Sequence, residues 1–411
     1  MRWCLMLDQS INESSLKYII NDFEKKVKFK DDFSEGDDAV VCKLLQEFSK
    51  NQPFPPLEVI KVRKKTAYKV CDIYSYYLLK RLNLTFKTIN SLKQANRNEI
   101  VSSIVALIKD KRPYSIIRLD IKDFYESIDR NTILQSIEQD IAYSESTTNI
   151  LRKWFNCFEA SKVSGLPRGL SISASLAEYY LREFDESTRR IDDVFYYARF
   201  VDDIIVFTTR TEHEIIATLE NNLPLGLKFH SKNSKRAVIE VPIEHKSNNE
   251  NLSFDYLGYE FTITIIGKNL ETRVDFSNVK INGIKTKIIK ALLDFERTSD
   301  FVLLKSRLSF LTHNYYIHNK YRDTKIRSGI YYNYLFISHP LQCRLNDLDS
   351  FMRNLLFNKS LCKRIIGQNH SLSNEQCKIL IKMSFSKGYN NKLFHKFGYR
   401  KMMQIKSCWG F

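Results

Sequence analysis

Phe200-Val201-Asp202-Asp203 decides the reading of this 411-residue chain. It places two adjacent carboxylates between Phe195-Tyr196-Tyr197-Ala198 and Ile204-Ile205-Val206-Phe207, two runs with the composition of paired strands. The pairs Asp31-Asp32, Asp37-Asp38 and Asp192-Asp193 lie in polar or charged surroundings and read as solvated turns. A tight connection between apolar strands ordinarily carries Asn-Gly or Asp-Gly. Two like charges there repel and need a cation or basic neighbours to coexist.

Working outward, Ser115 to Leu119 reads as a buried strand that delivers a third carboxylate, Asp120, at its end. From Ile121 the period changes, and Phe124, Ile128, Ile133 or Leu134, and Ile137 suit a helix packing back on that strand. Taken alone, Asp120 also suits a helix N-cap. Ser164-Gly165-Leu166-Pro167-Arg168-Gly169 is a tight loop leading into a helix over Leu170 to Phe184. Its start is lined with the small residues Ser171, Ser173, Ala174 and Ser175, which suit close approach of a flat or bulky ligand or tight packing on a sheet. After the Asp-Asp hairpin come a helix over Thr211 to Leu223, the segment Gly226 to Lys232 and a polar loop, Glu244 to Ser253. Phe254 to Phe261 then alternates like a hairpin strand, running on to Ile266 and a Gly267-Lys268-Asn269 turn.

The flanks are less specific. A helix is expected over Asn12 to Val27, with Pro53-Phe54-Pro55-Pro56 as a boundary. Tyr68, Cys71, Tyr74, Leu78 and Leu82 recur at helical spacing through Thr66 to Leu82, and Glu99 to Lys109 reads as a further helix. From Asp275 onward the chain is expected to be mostly helical. Within it, His313 to Phe336 interleaves six tyrosines with Lys320, Arg322, Lys325 and Arg327. That pattern suits nucleic-acid stacking and helical core packing equally.

The net charge of +17 sits in two blocks: ten Lys or Arg against one acid from Lys61 to Arg97, and eight with no acid from Gln376 to Phe411. Two basic surfaces facing a polyanion, most simply nucleic acid, are implied. The length suggests two or three lobes. No apolar run approaches the roughly 18 residues that cross a bilayer, so a cytoplasmic location without membrane contact is expected. The eight cysteines form no Cys-x-x-Cys pair, and Cys362, His370 and Cys377 are too loosely spaced for a zinc motif.

Three carboxylates on two strands, in a molecule with two basic surfaces, are what two-metal phosphoryl transfer requires, in a polymerase or a nuclease. The order of the motifs separates these. Ile117-Arg118-Leu119-Asp120-Ile121-Lys122-Asp123-Phe124-Tyr125, then Leu166-Pro167-Arg168-Gly169, Phe200-Val201-Asp202-Asp203, Gly226 to Lys235 and Tyr256-Leu257-Gly258-Tyr259 resembles the ordered palm motifs of reverse transcriptases, over residues 97 to 265.

The resemblance implies an α+β right-hand polymerase fold: an N-terminal segment (1–60), fingers (61–114), an antiparallel-sheet palm (115–265), a helical thumb (275–360) and a basic helical C-terminal extension (361–411). It implies two Mg²⁺ ions, replaceable by Mn²⁺, held by Asp120, Asp202 and the Ile121 carbonyl with Asp203 in support. Tyr125 matches the aromatic residue that excludes a ribose 2′-hydroxyl. Arg168 and Gly169 match the strip along the incoming nucleotide, and Tyr256, Leu257, Gly258 and Tyr259 match the primer grip. The triphosphate-binding cation falls among Arg63, Lys64, Lys65 and Lys69, and the proton donor is Lys232 or Lys235. Arg168 stands where many relatives carry Gln, and Phe200 where they carry Tyr. Leu-Pro-Arg-Gly followed by Ser-Ile-Ser-Ala-Ser-Leu-Ala-Glu-Tyr-Tyr is more similar to the bacterial defence-associated and abortive-infection reverse transcriptases, and among them to a type 3 system subunit. An RNA template, including a dedicated noncoding RNA, deoxynucleotides, a DNA product and oligomeric assembly, with a second reverse transcriptase or effector subunit, follow as expectations. The rival readings are an RNA-synthesising palm polymerase and a non-catalytic RNA-binding subunit of a defence complex.

Overall fold

The computed structural model describes residues 8–50, 52–62, 65–92, 95–160, 162–231, 235–242, 250–267, 269–319, 324–368 and 370–410. The chain divides into two compact units, one of residues 1–95 and 114–238, the other of residues 96–113 and 239–411.

In the first unit, β1 (Glu58–Val62) and β2 (Lys65–Lys69) form an antiparallel hairpin. β3 (Tyr114–Asp120), β4 (Val194–Phe200) and β5 (Asp203–Thr208) form an antiparallel sheet with β5 in the middle. β6 (Ala237–Val241) continues that sheet beyond β3 as the chain leaves the unit. β5 is apolar along its length because both faces are covered; Ile204, Ile205, Val206 and Phe207 are fully buried. Ile117, Leu119, Ile204 and Val206 share one core with Trp154 and Phe158 of the helix Glu145–Ala160 and with Ile172 and Leu176 of the helix Ser171–Tyr180.

The N-terminal part packs separately. Leu16, Val40, Val41 and Leu44 close on Tyr77 of the helix Ile73–Ile89. Beneath them the buried Glu24 carboxylate accepts hydrogen bonds from Tyr76 (2.9 Å), Tyr77 (3.0 Å) and Lys80.

Several expected helices are shorter or broken. The Asn12 to Val27 stretch is the helix Glu13–Ile19 followed by a single wide turn at Glu24–Lys28. Thr66 to Lys69 belong to β2, and the helix starts at Ile73 because the Asp72 carboxylate caps the Ser75 amide at 2.6 Å. The run after Ile121 breaks at Ile128, where Asp129 caps the helix Arg130–Gln139. The Leu170 to Phe184 helix divides at Leu181 into Ser171–Tyr180 and Arg182–Arg189.

In the second unit, β7 (Glu250–Tyr256), β8 (Tyr259–Ile266) and β9 (Asn269–Phe276) form an antiparallel meander. The helices Asn278–Thr298, Phe301–Thr312 and Leu345–Phe357 follow, with shorter helices to the C-terminus. The described residues of the His313 to Phe336 stretch are not helical. β10 (Asn314–Asn319) and β11 (Thr324–Gly329) form a hairpin in which Tyr316 opposes Arg327 and Ile317 opposes Ile326. Aromatic and β-branched residues favour that state once a partner strand is present. Among the described residues, no helix is long and apolar enough to cross a membrane.

Candidate active site

The site is built on the β3–β5 register. Asp120 lies directly opposite Asp203. The Ile121 amide donates to the Asp202 carbonyl at 3.1 Å, so Asp120 and Asp203 occupy a non-hydrogen-bonded position, the closer of the two kinds of antiparallel pair. Their side chains therefore share one face. Asp202 lies in the two-residue turn between Phe200 and Asp203, which are themselves paired across β4 and β5.

Burial pushes the Asp203 carboxyl above its ordinary range, against the nearby Arg118, and the charges of Asp202 and Asp120 add to the rise. Asp202 is raised too, first by burial and then by Asp120, with Lys235 and Lys65 opposing. Asp202 and Asp203 both feel the charge of Asp120, and basic groups partly compensate. Lys235 Nζ lies 2.6 Å from Asp120 Oδ2, His230 Nε2 lies 3.6 Å from Asp120 Oδ1, and Arg118 reaches Asp203 at 3.4 Å. Asp120 is 3 % exposed and caps no helix.

Beside Asp120, the segment Lys228 to His230 runs antiparallel to the chain leaving β3. Lys122 N donates to Lys228 O (2.9 Å) and His230 N to Asp120 O (2.9 Å), with Ile121 bridged to Phe229 between them. The bridge is made by the flanking residues and does not use the Ile121 carbonyl.

The loop before the Ser171–Tyr180 helix is fastened to this corner. Leu166 N donates to Tyr125 O (2.8 Å), and Tyr68 N of β2 donates to Arg168 O (2.8 Å). Gly165, at φ 59°, leaves no room for a side chain: a Cβ there would lie 2.1 Å from the Tyr125 carbonyl oxygen. Gly169, at φ 100°, would meet the Tyr68 carbonyl at 2.9 Å. Arg168 grips Glu126 through two bonds, Nε to Oε1 (2.6 Å) and Nη2 to Oε2 (2.8 Å), and its guanidinium carbon lies 5.2 Å from the Tyr125 ring centre. The Arg168 bond holds Glu126 below the usual carboxylate range, and burial raises the Tyr125 phenol.

Asp120, Ile121, Tyr125, Arg168, Gly169, Asp202 and Asp203 thus all belong to the first unit, as does Lys65, exposed at the start of β2. Lys64 and Lys232, and Arg63 beside them, lie outside the described residues. Tyr256, Leu257, Gly258 and Tyr259 belong to the second unit, where Leu257 and Gly258 turn β7 into β8. There Arg97 donates to the Leu257 carbonyl and lies over the rings of Tyr259 (4.9 Å) and Tyr334 (5.1 Å).

Sequence reasoning passed over Arg118, His230 and Glu126. Arg118 was legible, since residues two apart on a strand share a face and Arg118 precedes Asp120 by two. His230 and Glu126 carried no such signal.

The donors Asp120, Asp202, Asp203 and the Ile121 carbonyl are all oxygen, the set that hard divalent cations take, and their mutual repulsion is what such a cation relieves. They fit one. Among the described residues no three His, Cys, Asp or Glu side chains stand drawn together as a metal cage; at Asp120 the Lys235 ammonium supplies the positive charge. Cys362, His370 and Cys377 form no such cage either; both thiols and the imidazole meet backbone carbonyls.

Residues 62–261 match the family model described as reverse transcriptase (RNA-dependent DNA polymerase). The match takes in just under half of the chain, which has the α+β right-hand polymerase fold; the family model is that of an RNA-directed DNA polymerase, a nucleotidyltransferase. No curated protein matches the chain. Solved structures similar to it include apo telomerase of Candida tropicalis truncated from its C-terminal domain (12 % identity, 56 % of this chain and 58 % of that one, TM-score 0.34). Telomerase of Candida albicans with a fragment of telomeric RNA matches at 11 % identity over 90 % of this chain and 65 % of its own, with TM-score 0.36. The RNA-dependent RNA polymerase of BmCPV in its elongation state matches at 10 % identity over 68 % and 29 %, with TM-score 0.32. The chain thus spans 58 % and 65 % of the two telomerases.

Proposed function

We propose that the chain is an RNA-directed DNA polymerase that extends a primer with deoxynucleotides at Asp120, Asp202 and Asp203. The observation that carries this reading is the pairing of Asp120 with Asp203 across β3 and β5, with Asp202 in the adjoining turn. Two divalent ions, Mg²⁺ or Mn²⁺, held by Asp120, Asp202 and the Ile121 carbonyl with Asp203 in support, would neutralise the attacking and leaving oxygens.

The protein's own part is positioning and charge. The Tyr125 ring, held under Arg168, stands against a ribose 2′-hydroxyl and favours deoxynucleotides. Arg168 and Gly169 border the incoming nucleotide, and Lys65, with Lys64, supplies positive charge for its triphosphate. Lys235, already on Asp120, is placed to hold a proton for the departing pyrophosphate; Lys232 is the alternative donor. The functional division follows the resemblance: N-terminal segment 1–60, fingers 61–114, palm 115–265 with the primer grip at Tyr256 to Tyr259, thumb 275–360 and C-terminal extension 361–411.

The resemblance of Leu166 to Tyr180 to the defence-associated enzymes supports a role in bacterial antiphage defence, in the cytoplasm, with a dedicated noncoding RNA as template and assembly into an oligomer with a second reverse transcriptase or effector subunit. Sequencing the nucleic acid that co-purifies with the wild-type chain and with Asp202→Ala Asp203→Ala tests this. One recurrent RNA in both, with complementary DNA in the wild type alone, is expected. Random cellular RNA in both would contradict it.

A further inference from the structure

Arg199 stands two residues ahead of the turn, on β4, and its side chain is 4 % exposed. A guanidinium has five N–H bonds to satisfy. Nε donates to Asp185 Oδ1 (2.9 Å), Nη1 to Glu178 Oε1 (3.3 Å) and to the Val201 carbonyl (2.9 Å), and Nη2 to Glu178 Oε2 (2.7 Å) and Asp185 Oδ2 (2.7 Å). All five are used. Tyr197 donates to Asp185 Oδ1 as well, at 2.6 Å. Burial works against the charge on Arg199, but the bonds to Asp185 and Glu178 outweigh it and keep the group protonated.

The Val201 carbonyl is the only one of these acceptors in the turn. Val201 has φ 61°, a left-handed backbone at the first of two central turn residues, where hairpins favour glycine or asparagine. A β-branched residue there is a strained outlier that persists only when its surroundings hold it. Glu178 lies on the helix Ser171–Tyr180 and Asp185 on Arg182–Arg189, so two helices hold the guanidinium and the guanidinium holds the turn.

We propose that Arg199 is a positioning residue for the polymerase reaction: it fastens the Val201 carbonyl to the two helices and keeps the strained turn in the one conformation that presents Asp202 and Asp203 beside Asp120. This rests on the placement of Asp202 and Asp203 in the active site. A buried ion pair that served stability alone would have no need of the fifth bond, and the strain at Val201 would be independent of it.

The test compares kcat and KM for deoxynucleotide on the full-length chain. Arg199→Lys keeps the charge but not the fork. It is expected to lower kcat about 100-fold, the cost of a misplaced reacting group, with KM within about twofold. Val201→Gly removes the strain and, placed in the Arg199→Lys background, is expected to recover kcat about tenfold. Glu178→Gln weakens one arm of the fork without emptying the site and is expected to lower kcat about tenfold. Wild-type kcat in Arg199→Lys, or a double variant no better than Arg199→Lys, overturns the proposal. If Arg199→Lys does not fold, wild-type kcat in Glu178→Gln overturns it. Asp202→Ala Asp203→Ala separates the premise: synthesis surviving in that variant overturns the site assignment and the clamp together, whereas its loss beside an unaffected Glu178→Gln overturns the clamp alone.

Discussion

Asp120 and Asp203 face each other at a non-hydrogen-bonded position of the β3–β5 pair, with Lys235 on the first and Arg118 on the second. Two carboxylates on one face of a strand pair repel, and each has basic company.

Lys235 therefore carries the first prediction. Lys235→Ala removes the cation 2.6 Å from Asp120 Oδ2. Its kcat is expected to fall about 100-fold, the scale of a lost general acid, in single-turnover incorporation. A loss of that size in Lys232→Ala with none in Lys235→Ala would move the proton-donor role to Lys232.

The proposed sugar gate rests on Tyr125 and on what holds it. Tyr125→Ala is expected to raise ribonucleotide incorporation relative to deoxynucleotide by at least about tenfold. Glu126→Gln, which loosens the two-bond grip on Arg168, is expected to raise it by a smaller factor. Competition between labelled ribo- and deoxynucleotides measures both. Unchanged selectivity in Tyr125→Ala contradicts the gate.

Gly165→Ala addresses the loop that fixes Tyr125. Its Cβ would lie 2.1 Å from the Tyr125 carbonyl oxygen in a left-handed conformation. The loss of stability is expected to be at least about 2 kcal/mol, read as a lower urea midpoint at unchanged slope.

His313, in the second unit, sets a pH dependence of stability. Burial, then the neighbouring His395, lowers its pKa from 6.5 to about 4. Between those values the unfolded chain binds more protons than the folded one, so stability is full above pH 6.5 and is lost as pH falls toward 4. The melting temperature is expected to drop across that window, and to drop less in His313→Asn.

Much of this arrangement was legible in the sequence, because it follows from period and adjacency. Apolar runs on both sides of Asp202-Asp203 gave the hairpin, and a buried strand ending in Asp120 gave its partner. Where spacing fitted two states, the choice needed tertiary context. Tyr315 and Tyr316 suit a helix or a strand until β11 pairs with β10, and Tyr68 reads as helical until its amide meets Arg168. The Arg199 fork joins residues 14 and 21 positions apart, and the Glu126 grip joins residues 42 apart. No local pattern announces such contacts.

The central claim is that Asp202 and Asp203 carry deoxynucleotide addition on an RNA template. Incorporation of a labelled deoxynucleotide into a primed RNA, by the wild-type chain and by Asp202→Ala Asp203→Ala of unchanged circular dichroism, tests it directly. Synthesis by the wild type and none by the variant is the predicted result; synthesis that persists in the variant contradicts it.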